Sequence, residues 1–267
     1  MASSSVQAPV TAPSSRLPAP RKRMERKFLV SSRQYDLLTQ ALGPFARPDA
    51  HGDVGGFYRI QSLYFDNPDH EAYWARVDAK PERRKLRIRA YSSREGASFD
   101  RVMVEIKRRE GPYVTKDRLV LSLEDAERLC RGEDLPEGLD EGRTATAESV
   151  LALVRAWRLK PVCLVAYRRQ AFVVGAHAAH MRVTFDFDVR GRVTALKLGE
   201  EGVNRRILSP DRILMEVKTR LGWPDWWTVL LRQAGLGPGP FSKYNMALRG
   251  GLARLKHLWA RQEDLYG

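Results

Sequence analysis

Cysteine is nearly absent from this 267-residue chain, with only Cys130 and Cys163 far apart in sequence. That excludes a disulfide framework and a thiolate zinc site, and both residues read as small apolar fillers. Long apolar runs are missing too, and none approaches the roughly 18 residues of a membrane-spanning helix. No Gly-x-Gly-x-x-Gly follows a strand and no Gly-x-x-x-x-Gly-Lys-Ser/Thr occurs, so the usual nucleotide loops are absent. Histidine is scarce, and the one close pair, His177 and His180, has no other ligand-like cluster beside it and reads as incidental. Acidic residues are in deficit, 32 Asp+Glu against 46 Lys+Arg, a net +14 that points to an anionic partner.

What is present is organised. Residues 1–20 are rich in Ala, Ser and Pro with no apolar h-region, and read as a solvated tail without a signal peptide. A folded domain is expected over 21–250, with a helical extension over 251–267. Alternation places strands at 58–66, 83–91, 101–109, 114–121, 162–174, 181–189 and 212–220, with a further alternating segment at 24–30. Helices are expected after Ser31 or Ser32 as far as Leu42, from Ser122 to Gly132, over 147–158, from a first turn containing Pro224 to Gly235, and after Ser242. Strands in close succession imply an α+β fold with an antiparallel sheet.

The strands carry their charge on one face. Lys85, Arg87, Arg89 and Tyr91 alternate with Leu86, Ile88 and Ala90; Lys116 and Arg118 share a face on the next strand but one. Glu25-x-Lys27, Glu105-x-Lys107 and Glu216-x-Lys218 repeat one spacing on three strands, and Arg182, Thr184, Asp186 and Asp188 form another polar stripe. A half-solvated sheet would show some of this. The repetition and the excess of Arg and Lys favour a sheet closed into a barrel, with cations in the lumen and apolar faces under outer helices. Close cation pairs repel by about 1–4 kcal/mol, so such a lumen requires a polyanion. Arginine forks match phosphate oxygens, and the minority carboxylates suit a hard divalent cation, magnesium or manganese. Glu216, Glu105 and Glu25 are the candidate metal ligands. Asp186 and Asp188 could hold a second metal, with orientation of Arg182 as the alternative. Arg26, Arg83 and Arg84 read as outward solvating charges, Asp66-Asn67-Pro68 as a turn, and Trp223, Trp226 and Trp227 as helix packing. Leu252–Arg261 reads as a docked helix, with a membrane or acidic partner as its alternative.

Met24-Glu-Arg-Lys-Phe-Leu-Val30, Tyr64-Phe-Asp-Asn67, Lys85-Leu-Arg-Ile-Arg-Ala-Tyr91, Val104-Glu-Ile-Lys107, Tyr167-Arg-Arg-Gln-Ala-Phe172, Met181-Arg-Val-Thr-Phe-Asp186, Leu214-Met-Glu-Val-Lys218 and Phe241-Ser-Lys-Tyr244 occur in that order. Together they resemble the VTC domain, the polyphosphate polymerase branch of the triphosphate tunnel, or CYTH-like, superfamily. The resemblance implies a tunnel that binds the triphosphate of ATP and passes the γ-phosphate to a growing polyphosphate chain, assisted by a divalent metal, usually manganese. It implies phosphate ligands at Lys27, Arg87, Arg89, Lys107, Lys116, Arg169, Arg182, Lys218 and Lys243. Glu216 would hold the metal, and Lys243, Glu216 and Lys218 would serve catalysis. The family has a second basic residue just before Phe-Ser-Lys-Tyr, where this chain has Pro240. A tunnel triphosphatase and a non-catalytic polyphosphate or nucleotide sensor are the alternatives. Nucleic acid is excluded as partner, because tunnel walls do not admit a duplex. A cytoplasmic location is expected, and a membrane-associated partner that receives the product stays open.

Overall fold

The computed structural model describes residues 24–92, 99–110, 113–175, 181–200, 202, 204–220, 222–251 and 253. The 1–20 tail, the His177/His180 pair and nearly all of 252–267 lie outside them. The elements run β1 (Met24–Val30), α1 (Ser32–Leu42), β2 (Ala46–Pro48), β3 (Phe57–Asp66), α2 (Glu71–Val77), β4 (Glu82–Ser92), β5 (Val102–Glu110), β6 (Tyr113–Leu121), α3 (Leu123–Arg131), α4 (Glu141–Trp157), β7 (Lys160–Val174), β8 (Arg182–Arg192), β9 (Arg205–Arg206), β10 (Ile213–Thr219) and α5 (Asp225–Gln233). A last helix, α6, covers 243–251. No helix among the described residues is long and apolar enough to cross a membrane.

One antiparallel sheet orders its main strands β1-β10-β8-β7-β3-β4-β5-β6, with β2 on β7 and β9 on β8. The expected closed barrel is therefore corrected, because β1 and β6 end the sheet without pairing with each other. The sheet curls instead. Lys107 on β5 reaches Glu25 on β1 at 3.7 Å, so side chains bridge the gap that backbone hydrogen bonds leave.

Period-two burial explains the curl. Leu86, Ile88, Val104, Ile106 and Leu119 face out under α3 and α4, where Leu129, Val150 and Val154 cover them. Phe28, Val183, Phe185, Met215 and Val217 do the same under α1 and α5, against Leu38, Leu42 and Trp227. Apolar area leaving water at about 25 cal/mol per Å² drives helices onto the convex face and leaves the charged residues to the concave one. Midway along β3 and β7 the concave wall has an apolar stretch, where Ile60, Cys163 and Val165 pack against Tyr244, Ala247 and Leu248 of α6.

Helix starts follow their caps. Ser31 forms a capping box with Gln34 for α1, and Ser122 Oγ accepts from Asp125 N for α3. Two expectations shift, and one helix is new. Pro224 is the N-cap of α5, with ψ 156°, and the helix begins at Asp225. Helix α4 starts at Glu141, six residues early, because Asp140 accepts from Arg143 N. Helix α2 follows the Asp66-Asn67-Pro68 turn, and carboxylate Asp66 accepts from the backbone N–H of Ala72 and Tyr73.

Candidate functional site

The concave face is built in rows, since residues paired across antiparallel strands share a face. Arg87, Glu105 and Arg118 stand opposite one another on β4, β5 and β6; Lys85, Lys107 and Lys116 form the next row. From the other side, Lys27 on β1 pairs with Glu216 on β10, which pairs with Thr184 on β8. Asp186 pairs with Arg169 on β7.

Three of the carboxylates anchor this face. Glu105, 1% exposed, receives Arg87 Nε at 2.6 Å and Arg118 Nε at 2.9 Å, with Arg89 Nε at 4.0 Å. Burial would raise its pKa, but the facing Arg87 and Arg89 outweigh it and hold Glu105 well below the usual carboxylate range. Asp186 takes Arg169 in a two-bond fork at 2.6 and 2.8 Å and Lys243 Nζ at 2.6 Å. Glu216 meets Lys243 at 3.0 Å, Lys218 at 3.2 Å, Arg169 at 3.6 Å and Lys27 at 3.9 Å. Its burial penalty too is overcome, chiefly by Lys243 and then Lys218.

In the lysine row burial outweighs the nearby carboxylates. Desolvation first, then Lys107 and Lys27, lower Lys85 to about 7; desolvation, then Lys218 and Lys107, lower Lys116 to about 6. Burial likewise brings Lys107 to about 8 despite Glu25.

Residues 241–245 are locked into this face. Lys27 Nζ donates to the Phe241 carbonyl at 2.9 Å, and Lys243 Nζ lies 4.8 Å from the Tyr167 ring centre. Tyr244 hydroxyl donates to Asp66, and Lys85 donates to Asn245 Oδ1 at 2.9 Å while sitting over the Tyr244 ring. Tyr167 hydroxyl accepts from Arg89 at 3.3 Å, and Ser62 Oγ takes Arg89 Nε at 3.2 Å. Arg182 pairs with Asp49 and donates to Tyr58 at 2.9 Å.

The nine expected phosphate-binding residues Lys27, Arg87, Arg89, Lys107, Lys116, Arg169, Arg182, Lys218 and Lys243 thus line or border one concavity. The candidate acids stand among cations. Among the described residues no group of three or more His, Cys, Asp or Glu side chains could hold a metal ion. Glu105 is enclosed by arginines instead. Asp186 holds Arg169 and Lys243, leaving Arg182 to Asp49. Asp188, at φ 47°, leaves the stripe where β7 and β8 slip register, and pairs with Arg190 and Arg206 at the surface. Arg26 stacks over Trp223 at 5.6 Å, and Trp226 and Trp227 pack as expected. Sequence reasoning put Arg118 on the charged face but left it, Asp66, Tyr167 and Asp49 out of the site; Tyr167 and Asp49 act through partners far away in the chain, and Asp66 joins nearby backbone N–H groups to the distant Tyr244 hydroxyl.

For a divalent cation the fit is to a pair of carboxylates. Glu25 and Glu216 flank Lys27 at 3.6 and 3.9 Å, and Thr184 Oγ1, cross-strand from Glu216, is buried with no hydrogen-bond partner among the described residues. Hard oxygens of this kind suit magnesium or manganese, which take one or two carboxylates together with substrate phosphates.

A curled antiparallel sheet whose concave face gathers lysines and arginines defines a class. The VTC domain family matches residues 22–250, and the chain belongs to that family. Among solved structures, a proposed adenylate cyclase from Bacillus halodurans is similar at 15% identity, covering 83% of this chain and 94% of that one, with a TM-score of 0.48. A Pyrococcus horikoshii protein is similar at 14% identity, covering 85% and 99%, with a TM-score of 0.44. A proposed adenylate cyclase from Vibrio parahaemolyticus is similar at 10% identity, covering 85% and 98%, with a TM-score of 0.43. A search of curated proteins found no match.

Proposed function

We propose that the protein is an ATP-dependent polyphosphate polymerase. The triphosphate of ATP lies along the concave face, and a terminal oxygen of the acceptor polyphosphate attacks the γ-phosphorus in line. The bond to the β,γ-bridging oxygen breaks, ADP leaves, and the chain is one unit longer. One observation carries the reading: buried lysines and arginines converge on a single concave face with too few carboxylates to neutralise them. Phosphoryl transfer asks a protein for such positioning and charge stabilisation, with no covalent enzyme group.

Roles follow from the contacts. Arg87 and Arg89, braced by Glu105, Ser62 and Tyr167, present pre-aligned forks to phosphate oxygens. Lys27, Lys107, Lys116, Lys218 and Arg169 add charge around them, as does Arg182, held by Asp49 and Tyr58. Lys243, suspended between Asp186 and Glu216, is the candidate for the transferring phosphoryl group. Glu216 with Glu25 would hold a manganese or magnesium ion, which when bound would neutralise phosphate charge.

Purified protein incubated with ATP and manganese is expected to give a ladder of long polymers on a gel, lost in Lys243→Ala. Orthophosphate without polymer would make the protein a tunnel triphosphatase. Triphosphate binding without turnover, the outcome the Pro240 departure favours, would make it a sensor.

A further inference from the structure

The stripe on β4 that supplies Lys85, Arg87 and Arg89 has a fourth member, Tyr91, which phosphate binding alone does not use. Tyr91 follows Arg89 by two residues and pairs with Ile60 of β3, whose side chain packs on the concave wall. It therefore faces the concavity. Burial falls away along the stripe, from 9% exposed at Arg89 to 44% at Tyr91. Among the described residues no other aromatic side chain in a strand is exposed.

The ring has a fixed setting. Its centre lies 6.0 Å from that of Tyr58, with the planes tilted by 48°, and 6.0 Å from the guanidinium carbon of Arg89. Tyr58 is anchored in turn, its hydroxyl accepting from Arg182 at 2.9 Å. Arg89 is held by Ser62 and by the Tyr167 hydroxyl, and Lys243 Nζ sits 4.8 Å from the Tyr167 ring centre. A line of contacts thus runs from Lys243 through Tyr167 and Arg89 to Tyr91. Its first member is the candidate for the transferring phosphoryl group, and its last is an aromatic ring open to solvent. A triphosphate whose γ end meets Lys243 and whose other phosphates meet Arg89 brings its nucleoside to that ring.

We propose that Tyr91 stacks on the base of the bound nucleoside triphosphate, and so is the residue that distinguishes ATP from inorganic tripolyphosphate. The inference rests on the proposed triphosphate-binding concavity and deepens it by locating the nucleoside end. A base offers a flat π-face to an aromatic ring, whereas a bare phosphate chain has none to offer.

The test titrates ATP and tripolyphosphate by calorimetry, at fixed ionic strength, into wild type, Tyr91→Ala and Tyr91→Phe, with folding checked by thermal unfolding. Tyr91→Ala is expected to lose about five- to tenfold in affinity for ATP and none for tripolyphosphate. Tyr91→Phe keeps the ring and is expected to bind both as wild type does. Unchanged ATP affinity in Tyr91→Ala, or a parallel loss for tripolyphosphate, would overturn the stacking role and leave the concavity reading standing. A wild type that binds neither ligand would overturn the two together.

Discussion

Glu105 is the residue on which the arrangement of arginines turns. Replacing it with Gln leaves Arg87, Arg89 and Arg118 without their carboxylate, and breaking a buried pair in this way costs about 3–5 kcal/mol. Urea denaturation of Glu105→Gln should show that loss without anion and a partial recovery with tripolyphosphate; an unchanged midpoint would refute the role. The alternation that exposed these residues was legible in sequence, because period two is a property of neighbours. Their partners were not. Arg169 finds Asp186 across a strand pair and Lys243 finds Glu216 from another element, so the carboxylates Glu105 and Asp186 lie against arginine and lysine partners that alternation alone does not name.

Among the elements, α6 and α2 depend on one side chain. Asp66 accepts from the N–H groups of Asn67, Ala72 and Tyr73 and from the Tyr244 hydroxyl. Asp66→Ala should therefore destabilise by about 2–3 kcal/mol, more than the roughly 1 kcal/mol expected of Tyr244→Phe, which removes a single hydrogen bond. Thermal unfolding of both variants checks the order, and equal losses would contradict it. Helices α1 and α3 were readable because serine caps stood next to apolar spacing. Helix α2 was hidden, being seven residues long with a cap contributed from the preceding strand. The open sheet was hidden as well, since alternation states which face a residue takes but not whether the first and last strands meet.

At the scale of the molecule, the lysine row makes the empty protein sensitive to pH. Lys85 and Lys116 sit at about 7 and about 6 when folded, against 10.5 for the ordinary lysine. Between those values the unfolded chain binds more protons, so stability attributable to these lysines rises as pH climbs from about 6 toward 9. The depressed carboxylates Glu105 and Glu216 titrate below that window and do not oppose the trend. Thermal midpoints should rise over this range in the empty protein and flatten with saturating tripolyphosphate, whose charge favours the protonated lysines. A midpoint that falls with pH would contradict the row's electrostatics.

The central claim is that the concave face binds a triphosphate. Calorimetric titration of tripolyphosphate into wild type, Arg87→Ala and Lys218→Ala tests it most directly. Saturable one-to-one binding, weakened about tenfold or more in each variant by loss of a buried charged contact, is the predicted result. Absence of binding, or binding that neither substitution alters, would contradict it.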